Sequence, residues 1–187
     1  MFKKTLAVAA MLAAALLSPG AAASTFALQA DGQWASFDVD NTVSASGGLE
    51  WIDLADNSAL TFQFTLTQPG LLKVVDGGFA GDVFQVSNNG VALGSTSAAT
   101  NSYPSSVGLN FDSAWADNAY SQAVFQLAPG DYSITGILSG SALDDTGTPI
   151  NATVGAVSLT AVPIPAAWGL FLAGSGLVGA FARRRAN

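Results

Sequence analysis

The chain is 187 residues long, 50% hydrophobic and only 10% charged, with 13 acidic and 6 basic side chains and neither His nor Cys. Without Cys there is no disulfide scaffold, thiol catalysis, thiolate zinc site or iron–sulfur cluster. Without His the commonest general base, the usual zinc and haem ligand and any Ser–His triad are excluded as well. The net charge of −7 argues against nucleic acid as a partner, because phosphate binding draws on clustered Lys and Arg.

Five of the six basic residues sit at the ends: Lys3, Lys4, Arg183, Arg184 and Arg185. Residues 24 to 162 keep Lys73 against all 13 acids, a net charge of 1 − 13 = −12. An acidic, Lys-poor body between basic and apolar ends is the charge plan of an exported protein. At the N-terminus, MFKK is a positive segment and TLAVAAMLAAALLS an apolar run of 14 residues, a secretory signal in length rather than a span. Pro19 and Gly20 break its helix, and Ala21 and Ala23 place small residues at −3 and −1 for signal peptidase to cut before Ser24. The competing reading is an uncleaved membrane anchor.

The body that follows is read as strands. In chain order they are Thr25 to Ala30, Gln33 to Val39, Ala59 to Thr67, Leu71 to Asp76, Asp82 to Ser87, Gly90 to Gly94, Gln122 to Ala128, Asp131 to Leu138 and Ala152 to Thr160. The clearest is Ala59 to Thr67, where Leu60, Phe62, Phe64 and Leu66 alternate with Thr61, Gln63, Thr65 and Thr67, one dry face and one wet. Pro69-Gly70 predicts a type II turn and Asn88-Asn89-Gly90 a type I′ hairpin, and Pro129-Gly130 repeats the first device. Ser95 to Gly108 reads as a surface loop, and Asp112 to Ala119 as a short helical turn with Asp112 as its cap. Nine short strands with regular turn signals predict an all-β, antiparallel β-sandwich, with a jelly roll among the arrangements that fit.

After the last strand, Val162-Pro163-Ile164-Pro165 leads into Ala166 to Ala182, 17 uncharged and mostly apolar residues closed by Arg183, Arg184 and Arg185. As a helix this run is about 25 Å long, enough to cross a thin hydrocarbon layer. The prolines keep the motif extended, and the arginines favour the cytoplasmic side, which leaves the acidic body outside. A plain membrane anchor is the simpler account of this segment. The arrangement of proline pair, glycine-rich apolar helix and terminal arginines resembles the PEP-CTERM sorting signals of Gram-negative bacteria, in the variant written VPxPA. Ile164 stands where the namesake motif has Glu. The resemblance covers about 26 residues. It implies recognition at Val162, Pro163, Ile164, Pro165 and Ala166 by an exosortase-like enzyme that releases or transfers the protein, in bacteria that make exopolysaccharide. Two body segments, LLKVVDGGFAGDVFQVSNNGVALGSTS and YSQAVFQLAPGDYSITGIL, resemble a pattern recurrent in small secreted β-sandwich proteins and imply no enzymatic activity.

Three sets of side chains are candidates for chemistry. Acids cluster at Asp38 and Asp40, Asp53 and Asp56, Asp76 and Asp82, and Asp144 and Asp145. Hard oxygen ligands of this kind suit Ca²⁺, and Asp76 and Asp82, flanking Gly77-Gly78, are the first candidate pair. None has the spacing of a calcium loop, so turn formation and solubility are the plainer account and no cofactor is expected by default. Trp34, Trp51 and Trp115, with Tyr103 and Tyr120, are candidates for stacking on sugars, against core packing as the commoner use of aromatics. Paired carboxylates that hydrolyse glycosides are the least supported, with Glu50 as the single Glu. The sequence thus divides into a signal peptide (1–23), a secreted sandwich (24–161) and a sorting signal (162–187). The expected function is a non-enzymatic structural protein of the cell surface or matrix, made as an inner-membrane-anchored precursor. The alternative is a carbohydrate-binding module associated with exopolysaccharide, with or without a structural calcium ion.

Overall fold

A computed structural model of the chain describes residues 23–163. The expected signal segment, including Ala21, lies outside these residues, as do Ile164, Pro165, Ala166, the apolar helix and Arg183, Arg184 and Arg185. Among the described residues no helix is long and apolar enough to cross a membrane.

Twelve strands and one helical turn make up the described chain: β1 (Ser24–Ala27), β2 (Asp31–Asp40), β3 (Ile52–Asp53), β4 (Ser58–Leu66), β5 (Gly70–Asp76), β6 (Gly78–Phe79), β7 (Val83–Asn88), β8 (Val91–Ser95), β9 (Ser106–Gly108), α1 (Phe111–Ala116), β10 (Gln122–Leu127), β11 (Gly130–Gly140) and β12 (Ala152–Ala161). Each of the nine expected strands is present, with ends displaced by up to three residues. The main sheet runs β10-β5-β12-β2-β3-β4-β11-β7-β8 and folds over at the short β3, so that β10-β5-β12-β2 faces β4-β11-β7-β8. Successive long strands mostly change sides, the interleaving found in jelly rolls. All pairings are antiparallel except β1, which lies parallel to β4 with Ser24 opposite Leu60. β6 and β9 form a separate small ladder.

Alternation places the core. Phe37 and Val39 of β2, Leu72 and Val74 of β5, and Val157 and Leu159 of β12 meet Phe62 and Leu66 of β4, Phe84 and Val86 of β7, and Ile134 and Leu138 of β11. A smaller apolar cluster lies on the outer face of β5 and β12, where Phe111 and Ala114 of α1 and Tyr120 cover Val75 and Ala156. The segment expected as an open loop is therefore part of a cover: Ser102 Oγ accepts from the Ala80 amide, and β9 pairs with β6.

Turn chemistry departs from expectation in two places. Asn89 (φ 49°) and Gly90 (φ 77°) do adopt the left-handed pair of a type I′ hairpin. Gly70 does not take a positive φ; it opens β5, and a Cβ there would stand 2.9 Å from Leu66 Cδ1, so close packing explains it. The cap of α1 is Asn110, whose side chain accepts from Ser113 N, and not Asp112. Asp112 turns instead to Trp34, accepting from its Nε1 at 2.8 Å.

Candidate functional site

The three candidate tryptophans fall into different environments. Trp51 is fully buried (0% exposed), stacked on Phe37 at 3.9 Å and edge-on to Phe62 and Phe84. It shows no ring face to solvent, which removes it from any sugar-stacking set. Its indole lies over Gly136, where a Cβ would stand 2.1 Å from Trp51 Cε2. Trp34 and Trp115 are half-buried and adjacent, with ring centres 5.8 Å apart at 48°.

Strand register assembles the rest of that face. Ser158 of β12 pairs with Trp34 on one side and with Lys73 on the other, and Lys73 pairs with Val124 of β10. A row of four strands thus carries Trp34, the buried Ser158, Lys73 and the exposed Val124 on its outer face. Lys73 Nζ lies 4.9 Å from the centre of the Trp115 ring, a cation–π contact. The sequence reading overlooked Lys73 and Asp112 as members of this group because only register brings them to the tryptophans. Tyr120 is buried and Tyr103 packs edge-on against Phe79, away from the pair.

The acids separate just as clearly. Asp40 accepts from the amide and hydroxyl of Thr42, Asp56 from those of Ser58, and Asp144 from the amides of Thr146 and Thr148 and the Thr146 hydroxyl. These are Asx turns, and the donors hold all three carboxyls below their ordinary range. Burial opposes ionisation of Glu50, but hydroxyl donors from Ser44 and Ser46 outweigh it and leave its carboxyl lowered. None of these groups is poised for acid–base work.

Asp38 and Asp53 form a second group at the start of the domain. Burial, and then repulsion from Asp53, push the Asp38 carboxyl up. Asp53 Oδ2 accepts from Ser24 Oγ at 2.9 Å, which ties the first strand to β3. Both acids line a cavity of about 490 Å³ with Phe26, Leu54, Leu60 and Leu109.

Asp76 and Asp82 are together and inside. Asp76 is 0% and Asp82 1% exposed. Asp76 Oδ2 accepts long bonds from the amides of Gly81 (3.3 Å) and Asp82 (3.2 Å), while Oδ1 is buried with no partner. Asp82 Oδ1 accepts from the Ala142 amide at 2.8 Å. Burial first, and the neighbouring Asp82 charge second, push Asp76 up to about 9; burial raises Asp82 as well. Among the described residues no three acidic side chains gather as a metal cage.

At the other end, β12 stops beside the β4–β5 turn, with Ala161 opposite Gly70 and the Val162 amide donating to the Pro69 carbonyl at 2.8 Å. Val162 is 39% exposed.

No family model matches the chain, and no curated protein matches it. Among solved structures it is similar to the pre-peptidase C-terminal domain of a collagenase from Bacillus anthracis, at 10% identity and a TM-score of 0.38, over 75% of this chain and 97% of that one. A likeness of that degree carries no argument about what this chain does, so its function must be argued from its own residues.

Proposed function

We propose that this is an exported structural protein of the cell surface or extracellular matrix, trimmed by signal peptidase at one end and by an exosortase-like enzyme at the other. The observation that carries this reading is the coincidence of boundaries. The first strand opens at Ser24, the residue that cleavage after Ala23 would leave first, and the last strand closes at Ala161, one residue before the Val162–Ala166 motif. Both points inferred from targeting chemistry lie at the edges of the folded body, where cutting costs the core nothing. In this reading the precursor is held in the inner membrane by the apolar segment after the motif, and the acidic sandwich stands outside. In this reading its role is non-enzymatic.

The intact mass of the protein recovered from cells tests this. Expected is a chain beginning at Ser24 and lacking the apolar segment and Arg183, Arg184 and Arg185. A chain running unclipped to Asn187 overturns the sorting reading.

A second reading, binding of exopolysaccharide, is favoured by one observation, the half-buried Trp34–Trp115 pair with Lys73 beside it. Sugar faces stack on such rings. Pull-down on the polysaccharide, lost in Trp34→Ala and Trp115→Ala while the fold is kept, supports it; retention by both variants refutes it.

A further inference from the structure

We propose that the Asp76–Asp82 pair seats one divalent, oxygen-preferring cation, calcium in preference to magnesium, which ties the two halves of the sandwich together. The inference stands apart from the sorting reading. Asp76 ends β5 with the same inward parity as Leu72 and Val74, and Asp82 precedes β7 with the parity of Phe84 and Val86. The two carboxylates therefore approach from opposite halves and close one end of the interior. The Ala142 amide closes the same place.

Two neighbouring buried carboxylates demand a counter-charge. Among the described residues Lys73 is the single Lys or Arg, and it lies over Trp115 on the outer face. A proton is the competing answer, and it serves poorly. Oδ2 of Asp76 is already engaged by two amides while Oδ1 is buried without a partner, and a single proton would leave one of the two buried carboxylates charged. A cation at Oδ1 satisfies the orphan oxygen and neutralises the pair in one step. The contrast with Asp40, Asp56 and Asp144 is direct: those acids each have one oxygen taken up by turn donors and stand at the surface, where water reaches the other.

The donors decide the metal. A chain without His or Cys offers only oxygen, which selects hard cations. Magnesium binds with near-ideal octahedral geometry and keeps several waters, whereas calcium accepts irregular oxygen sets and gives up water more readily. Side chains 0% and 1% exposed favour the second.

The test uses protein purified from the cells that export it, stripped with EDTA and titrated with CaCl₂ or MgCl₂. Expected is one calcium per chain by calorimetry, a melting temperature several degrees higher in calcium than in EDTA, and a smaller rise in magnesium. Asp76→Asn abolishes the calcium shift without melting below the wild type in EDTA, and Asp144→Asn keeps the shift. Equal melting of the wild type in calcium, magnesium and EDTA overturns the proposal, as does a calcium shift that survives Asp76→Asn. Equal shifts in the two metals overturn the preference for calcium. Should Asp76→Asn not fold, infrared spectroscopy of the wild type decides: a buried protonated-carboxyl band that persists in saturating calcium overturns the seat, and its absence there supports it.

Discussion

Trp51 allows a test in which packing and polarity pull in opposite directions. Its side chain is fully buried among Phe37, Phe62 and Phe84, yet its Nε1 has no hydrogen-bond partner. A buried Trp removes roughly 200–250 Å² from water, worth about 5–6 kcal/mol at about 25 cal/mol per Å². Truncation to Ala should cost about 3–5 kcal/mol, a large share of the roughly 5–15 kcal/mol that holds a domain together. Trp51→Phe is different. It gives up about a third of that area, about 1.5–2 kcal/mol, and removes a buried N–H whose lack of a partner costs about 1–3 kcal/mol. The two nearly cancel, so Trp51→Phe should lie within about 1 kcal/mol of the wild type. Gly136→Ala presses a methyl group into the indole and should cost about 1–3 kcal/mol, a penalty that shrinks in a Trp51→Ala background because the clashing atoms are gone. Urea denaturation with an unchanged m-value reads all four variants. A loss below about 1 kcal/mol for Trp51→Ala, or equal losses for Trp51→Ala and Trp51→Phe, refutes both the burial of this ring and the isolation of its nitrogen.

Two further outcomes concern the acids. The Asp76 carboxyl, pushed up to about 9 in the fold, has a value near 4 when unfolded. Folding therefore favours its neutral form: in EDTA that contribution is fully present below about pH 4 and is lost as the pH rises towards 9. Melting temperatures of the metal-free wild type should fall across that window, with Asp82 acting in the same direction, and Asp76→Asn should flatten the fall; a flat wild-type profile refutes the assignment. At the first strand, a chain beginning at Ser24 carries its α-ammonium one residue's width from Asp53, because Ser24 Oγ already bonds that carboxylate. It should be more stable than a chain retaining Ala23 by about 0.5–1 kcal/mol, the worth of a partly exposed ion pair. Thermal melts of the two chains show whether the difference exists and whether Asp53→Asn removes it.

The parity of each strand was readable, and it carried more than the core. Leu60, Phe62 and Leu66 on β4 announce the dry face by alternation alone. The same rule places Trp34 on the face of β2 opposite Phe37 and Val39, and places Asp76 and Asp82 inward. Turn formation and solubility, the plainer account of the acids, therefore fails for this pair, which is buried as its parity requires, whereas Trp51, ahead of the two-residue β3, sits in no alternating run. What alternation cannot supply is which strand lies beside which. The row joins Ser158 to Trp34 (158 − 34 = 124 positions apart) and to Lys73 (158 − 73 = 85), and the overlooked β3, β6 and β9 are two or three residues long, too short for a period to register. The cap at Asn110 was missed for a local reason. Asp112 looks equally suited, but its side chain is drawn away by the Trp34 indole, and that partner comes from another strand.

The ends of the domain bear on how sorting would act on a folded substrate. β1 starts beside the beginning of β4, and β12 finishes beside the turn that ends it, so the two chain ends leave from opposite poles of the sandwich. A membrane tether at one pole thus leaves the other, with Ser24, Asp38 and Asp53, facing away. At the pole where β12 ends, the last ladder bond described is from Val162 to Pro69. Pro163 has no N–H with which to continue the ladder, so the first proline of the motif ends the pairing of the strand. An enzyme drawing the motif into an extended groove would have to release one backbone hydrogen bond, worth about 1 kcal/mol, and would leave Val157 and Leu159 in the core undisturbed. Recognition of this kind needs no unfolding, and it favours cleavage after Val162 over cleavage within β12, where the strand is bonded on both sides by β2 and β5.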